Sequence, residues 1–415
     1  MVISKKRRII NVFIITCSLL VWSMPYISTM FYEQFLEAYS LTNAQSGLLI
    51  SAFGASSIVG YMCGGYVADK FSCRKLVAAS SVTTALLGIM VANTHSFKVL
   101  LIIYIGYGVT VTLLQWSSFL KLILAQSSGP EEDGRIMGMF EAFSCIVNVG
   151  FAYGVLTLLG KIMEVTGFKG VLYAFSAVLI LVAVVILLVI SEPEVNEQTD
   201  TFSFRMIPLA LKHPGTWFQA LIMLGIYMIT NAASYMNPCL TQVFGASTTL
   251  GVSFAIFARY GKNIVGLIGG NIKDRTGKSS TVIFIFIGGA AIAMIMLLCI
   301  PQSTKYLIPA LLLMSAAIVI SGCARPCLYT PIPECGVPMV YMGTAIGIAS
   351  TIGYSGDLWY YTLCGSMIDK YGNLGYKLVF IIVLLGFTLA IGTAIVMQHW
   401  LNNHNEEVVL AKTQR

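Results

Sequence analysis

Apolar runs of about twenty residues alternate with short polar breaks along the whole chain, a period far too long for strands or for the helices of a water-soluble core. The stretches 171–190, 281–300 and 378–397 contain no charged residue. At 1.5 Å rise per residue, about 20 apolar residues cross a hydrocarbon core of about 30 Å. Twelve spans are predicted, at 9–30, 45–67, 76–93, 99–125, 136–159, 169–190, 216–236, 249–272, 280–300, 307–325, 338–364 and 375–398. They are numbered first to twelfth below. The expected fold class is an all-α membrane protein, with the lipid bilayer as its solvent.

The basic start, Lys5 to Arg8, precedes an apolar run longer than a signal-peptide core, with no small-residue cleavage site after it. A first transmembrane helix with a basic cytoplasmic flank is therefore expected.

Composition sharpens this picture. Only 10% of residues are charged and 57% are hydrophobic, with mean hydropathy +0.82, where a soluble domain carries about 25% charged residues. The net charge of +7 does not imply a nucleic-acid partner, because the basic residues sit in short loops, where they set topology. Even-numbered loops hold Lys70, Arg74, Lys75, Arg135, Arg205, Lys212, Lys273, Arg275, Lys278 and Arg325. The opposite loops hold fewer, so both termini are expected in the cytoplasm and the chain in a cell (inner) membrane. The ten cysteines show no metal-like spacing, so no metal and no cofactor is expected.

A polar stretch, 191–215, carries Glu192, Glu194, Glu197 and Asp200 and then a short amphipathic segment. It divides the chain into an N-terminal bundle (1–190), a cytoplasmic linker (191–215), a C-terminal bundle (216–398) and a cytoplasmic tail (399–415). The halves repeat at a constant offset. Gly65 to Lys70 matches Gly270 to Arg275 (274 − 69 = 205), and Gly160 to Gly167 matches Gly365 to Gly372 (372 − 167 = 205). Met137-Gly138 matches Met342-Gly343 (343 − 138 = 205). Six spans separate equivalent points, so the repeats are parallel, about an axis along the membrane normal.

The pair of loop motifs resembles the signature of the major facilitator superfamily. The first copy reads Gly65-Tyr-Val-Ala-Asp69-Lys70-Phe-Ser72-Cys-Arg74-Lys75, with Ser72 where Gly is usual; the second, Gly270-Asn-Ile-Lys-Asp274-Arg275-Thr-Gly277-Lys278, keeps the Gly. The resemblance covers essentially the whole chain. It implies two six-helix repeats that rock about a central site without ATP, with no nucleotide-binding loop in the sequence to suggest otherwise. It also implies that Asp69 helps hold the cytoplasmic face shut, with Arg135 a suitable partner. Gly65 and Gly270 are expected to allow close backbone approach at their helix ends.

Ionisable residues at membrane depth are costly and mark function. Five qualify: Lys121, Glu141, Arg259, Lys262 and Asp357. Arg259 and Lys262, three residues apart, would share a helix face and need a counter-anion. That anion is either a substrate carboxylate, sulfonate or phosphate, or Glu141. Asp357 is either a proton acceptor or a hydrogen-bonded partner for Tyr or Arg. The cavity helices implied by the resemblance are the first, fourth, seventh and tenth. They carry Trp22, Tyr26, Gln115, Trp116, Tyr227, Asn231 and Tyr235 among others, groups suited to an organic solute with hydroxyls and equally to packing.

The function expected is a secondary transporter of a small organic solute, with an organic anion favoured, working by proton symport or anion exchange as a monomer. The alternatives are a proton-coupled drug exporter and a non-transporting solute sensor. An enzyme is not expected, since the spans hold no metal cluster or activated serine.

Overall fold

A computed structural model describes residues 5–126, 130–191, 206–260 and 262–404. The described residues form helices and turns with no strand among them. They divide into two compact units, Met1–Thr201 and Phe202–Arg415. Seven described helices are long and apolar enough to cross a bilayer, among them Phe97–Leu124, Pro214–Gln242 and Asn373–Asn403.

Several predicted spans are instead built in pieces. In the first unit, helix Lys5–Cys17 passes into a 3₁₀ segment, Ser18–Ser23, then a single turn, Ile27–Met30, and a short helix, Tyr32–Tyr39. Ser40, in the left-handed region at φ 50°, ends that last helix. The second span, Asn43–Lys70, then starts on a reciprocal cap. Gln45 N–H donates to Thr42 Oγ1 at 3.2 Å and Thr42 N–H to Gln45 Oε1 at 3.0 Å, so two amides with no helical partner are satisfied at once.

The fourth span changes from α-helix to a π segment at Val109–Trp116 before returning to α-helix at Ser117. A π segment misaligns carbonyls that would otherwise be bonded within the helix, and in hydrocarbon each unpaired backbone group costs several kcal/mol. The third span supplies the remedy. Ser80 Oγ donates to Thr110 O at 2.8 Å, and Thr84 and Thr110 share a hydroxyl–hydroxyl bond at 3.0 Å. The second span packs against the same segment through small residues: a Cβ on Gly64 would meet Thr112 O at 3.2 Å.

In the second unit, the short helix Ile207–Lys212 docks beside the seventh span, Pro214–Gln242. Thr216 Oγ1 donates to Ala210 O at 2.7 Å and Trp217 Nε1 to Leu211 O at 2.8 Å. Ala210 joins Ala220, Ile332, Val337, Ala345 and Ala349 in a buried cluster. His213 Nδ1 accepts from Gly215 N–H at 3.1 Å and so caps the seventh span. That span lies backbone to backbone with the twelfth: a Cβ on Gly386 would meet Gly225 O at 3.0 Å. The eighth span is described as Thr248–Tyr260 and Lys262–Thr276, and the eleventh as Met339–Gly353 and Gly356–Tyr371.

Candidate functional site

The second unit gathers the polar chemistry of its spans around the break in the eleventh. Tyr227, Asn231 and Tyr235 lie four residues apart on the seventh span and share one face. The chain leaves the helical path at Tyr354 and Ser355, and Asp357 falls in the first turn of the helix that follows. A carboxylate is favoured there by the positive end of the helix dipole. Tyr227 donates its hydroxyl to Asp357 Oδ2 at 3.5 Å, and its ring meets Tyr354 edge to face at 4.7 Å between centroids. Tyr354 in turn shares a 2.6 Å hydroxyl–hydroxyl bond with Tyr329.

Arg259, half-buried on the eighth span, is the cation whose field reaches Asp357, and Asn231 stands beside the same carboxyl. Gly356 makes room for this amide, since a Cβ there would lie 3.0 Å from Asn231 Nδ2. Asp357 Oδ1 and Asn231 Nδ2 are both sealed from solvent, and the amide is the carboxyl's hydrogen-bonding neighbour. One acid, one guanidinium, one amide and two phenols thus meet within one unit. Such a group can bind an anion at Arg259 and hold or release a proton at Asp357.

Tyr235 is 2% exposed and donates to Tyr361 O at 2.6 Å. Its hydroxyl is engaged in bracing the seventh span against the eleventh, which explains its burial without a ligand. The side chains of Lys262 and Glu141 lie outside the described residues, as do those of Asp69, Arg135 and Asp274. Lys121 is half-buried in the last turn of Ser117–Leu124.

In the first unit the aromatic candidates converge. Trp22, in the 3₁₀ segment, stacks on Tyr61 at 6.2 Å and meets Trp116 edge to face at 5.9 Å. Tyr26 and Phe53 lie behind them, 5.5 Å apart. Gln115 ties the two irregular segments together, donating from Nε2 to Ser18 Oγ at 2.6 Å.

The loop signature resolves into distinct jobs. Arg74 Nη1 donates to Ile190 O at 3.2 Å, closing the carbonyl end of the sixth span. Lys70 lies 4.4 Å over the ring of Tyr66, and Arg275 is exposed. The glycines require a correction. A Cβ on Gly65 would meet nothing within 4 Å, and one on Gly270 would meet only Pro326 Cγ, at 3.9 Å. Neither serves close backbone approach. The tight contacts fall one to five residues earlier, at Gly60, Gly64 and Gly269, where a Cβ would strike the neighbouring helix.

Sequence reasoning missed Tyr61, Tyr329 and Tyr354. Tyr61 stands on the second span, outside the expected cavity helices. Tyr354 sits inside Gly353-Tyr-Ser-Gly356, and that glycine pair within an apolar run was the available signal for a broken helix.

Comparison with known proteins agrees with this architecture. The family description of the Major Facilitator Superfamily matches residues 12–361. The chain belongs to that superfamily: it is a polytopic transporter and not an enzyme. It is 26% identical over 424 residues to the inner membrane protein YihN of Escherichia coli (strain K12), covering 99% of this chain and 100% of that one. Among solved structures it resembles a bacterial homologue of the human lysosomal transporter Spinster. The TM-score is 0.73 at 15% identity, covering 95% of this chain and 98% of that one. It also resembles a D-xylose–proton symporter, with TM-score 0.72 and 15% identity over 95% of this chain and 97% of that one.

Proposed function

We propose that the protein is a secondary active transporter that moves a small organic anion by alternating access, with Asp357 as the proton-coupling group. The observation that carries this reading is the meeting of Arg259, Asp357, Tyr227 and Asn231 at a helix break within membrane-spanning segments. An ionised Asp357 competes with a substrate carboxylate, sulfonate or phosphate for the field of Arg259. Protonation of Asp357 withdraws that competition, so proton and anion bind together and cross together. Exchange of one anion for another needs the cationic side of the site without the proton step at Asp357.

Like its relative YihN, named as an inner membrane protein, the chain is assigned to the inner membrane. The loop charges support cytoplasmic termini, and Asp69 with Arg135 is assigned to closing the cytoplasmic side. Lys262 is assigned to the anion with Arg259, and Glu141 to coupling. The protein is taken to act as a monomer.

Thermal-shift screening of wild type and Arg259→Gln against organic anions, neutral sugars and organic cations tests the assignment. Stabilisation grows as RT ln(1 + [L]/Kd), so millimolar ligand reveals weak binders. One anion class should stabilise wild type and not the variant. A second reading, export of a cationic drug by proton antiport, draws on Asp357 at the hydroxyl of Tyr227, whose ring packs against Tyr354. It is favoured instead if cations stabilise both proteins and Asp357→Asn removes the effect.

A further inference from the structure

Tyr329 is 49% exposed and adds little to the core, yet its hydroxyl is held in a 2.6 Å bond to that of Tyr354. The two ends of this bond are built differently. Tyr329 stands on a fixed base. Its N–H donates to Pro326 O at 3.2 Å, and the residues after it are tied to two other spans. Thr330 shares a 2.6 Å hydroxyl–hydroxyl bond with Ser279 at the start of the ninth span, and Glu334 accepts from the Ser279 N–H at 3.0 Å. Ile332 N–H donates to Gln219 Oε1 on the seventh span at 3.2 Å.

Tyr354 stands at the break in the eleventh span, where side chains constrain the backbone least. Gly353 and Gly356 flank it, and Cβ atoms there would meet Met223 and Met228, thioether side chains that adjust easily. Ser355 turns its hydroxyl back to Ile352 O at 2.6 Å, within the same segment. Of residues 353–356, Tyr354 is therefore the one whose side chain fixes the break to other elements, by its hydroxyl to Tyr329 and by its ring to Tyr227. The contact beyond Tyr227 is a sensitive one. At 3.5 Å its hydroxyl reaches Asp357 Oδ2 at the outer limit of hydrogen bonding, where a small displacement makes or loses the bond.

We propose that Tyr329 is a positioning residue for Asp357: through Tyr354 it sets where the Tyr227 ring lies, and so whether the Tyr227 hydroxyl donates to the carboxyl. The inference rests on the reading above, that Asp357 carries the coupled proton, and adds the part of the chain that controls the acid's donor.

Infrared difference spectra of the full-length purified protein test this without a ligand. The carbonyl stretch of the protonated Asp357 carboxyl is isolated by subtracting the spectrum of the same protein carrying Asp357→Asn. A donor on the carbonyl oxygen polarises the C=O bond and lowers its stretch. Tyr227→Phe should therefore raise the stretch, and Tyr329→Phe should raise it by a smaller amount. Tyr354→Phe, which deletes the other end of the same bond, should also raise it. In a Tyr227→Phe background Tyr329→Phe should add nothing, because the donor it positions is gone. A stretch unchanged in Tyr329→Phe, or a shift that persists in full in the Tyr227→Phe background, overturns the proposal. The coupling reading fails separately. If proton-driven uptake of gluconate, benzenesulfonate or phenyl phosphate is equal in wild type and Asp357→Asn while the Tyr329→Phe shift is present, the positioning stands and the coupling role of Asp357 falls.

Discussion

Positions one repeat apart on the first and seventh spans hold different chemistry. Trp22 corresponds to Tyr227, Tyr26 to Asn231 and Met30 to Tyr235, each pair 205 residues apart (227 − 22 = 205). In the first unit Trp22 and Tyr26 belong to a neutral aromatic cluster; in the second Tyr227 and Asn231 stand at an acid within the field of a guanidinium. The loops show the opposite balance, with like geometry at one site and different solutions at another. Gly167 and Gly372 both adopt positive φ, at 69° and 55°. At the signature loop, Gly277 adopts φ 67° whereas Ser72 sits at φ −56° and caps the third span through its own hydroxyl. The ninth span is capped from elsewhere, by Glu334 Oε2 accepting from Ser279 N–H at 3.0 Å. The two units keep one pair of positive-φ glycine turns and differ where a helix cap can be supplied in more than one way.

The largest effect should come from removing the charge that the first unit's cluster lacks. Arg259→Gln should weaken anion binding by about 2 kcal/mol, or roughly thirtyfold, the scale of a charged hydrogen bond. Arg259→Lys should recover only part of this, since a point charge replaces a planar fork. Isothermal titration with the best anion of the screen measures both.

Next come the two caps. Glu334 is buried and its carboxyl accepts from the Ser279 amide, so Glu334→Ala should cost about 2 kcal/mol, against about 1 kcal/mol for Ser72→Ala. Equal losses in chemical unfolding would mean that the two loops are not built differently after all. Exchanging the loop residues sharpens the same contrast. Gly277→Ser should cost about 1–2 kcal/mol, because a side chain is forced into the left-handed region. Ser72→Gly should cost only a few tenths.

The smallest effect concerns the cap on the seventh span. Burial lowers the pKa of His213 below its usual value, and its neutral Nδ1 is the cap acceptor. The folded pKa lies below the unfolded value of about 6.5. The contribution is therefore present above about pH 6.5 and lost as pH falls through the folded value. Wild type should lose more stability than His213→Asn between pH 7.5 and 5, since Asn caps without titrating. Parallel melting curves across that range would rule the cap out.

What was legible in the sequence follows from what hydropathy can see. Uninterrupted runs such as 281–300 and 378–397 announced their helices because burial in lipid is a property of composition. The π segment at Val109–Trp116 was hidden, because it depends on hydroxyls of Ser80 and Thr84 one helix away. Arg259 and Asp357 stood out because charge at membrane depth is costly. Tyr354 and Tyr329 did not, since a tyrosine in a span reads as packing until its hydroxyl has an address. Gly65 was misread because a motif glycine suggests tight approach, and only the neighbouring helix reveals that Gly64 makes it.

The most direct measurement is uptake into proteoliposomes under an inward proton gradient, using the anion that most stabilises the purified protein. Wild type should accumulate it above equilibrium, Asp357→Asn should exchange it without accumulation, and Arg259→Gln should do neither. Accumulation by Asp357→Asn equal to wild type, or uptake unaffected in Arg259→Gln, would contradict the assignment of coupling and anion recognition to the second unit.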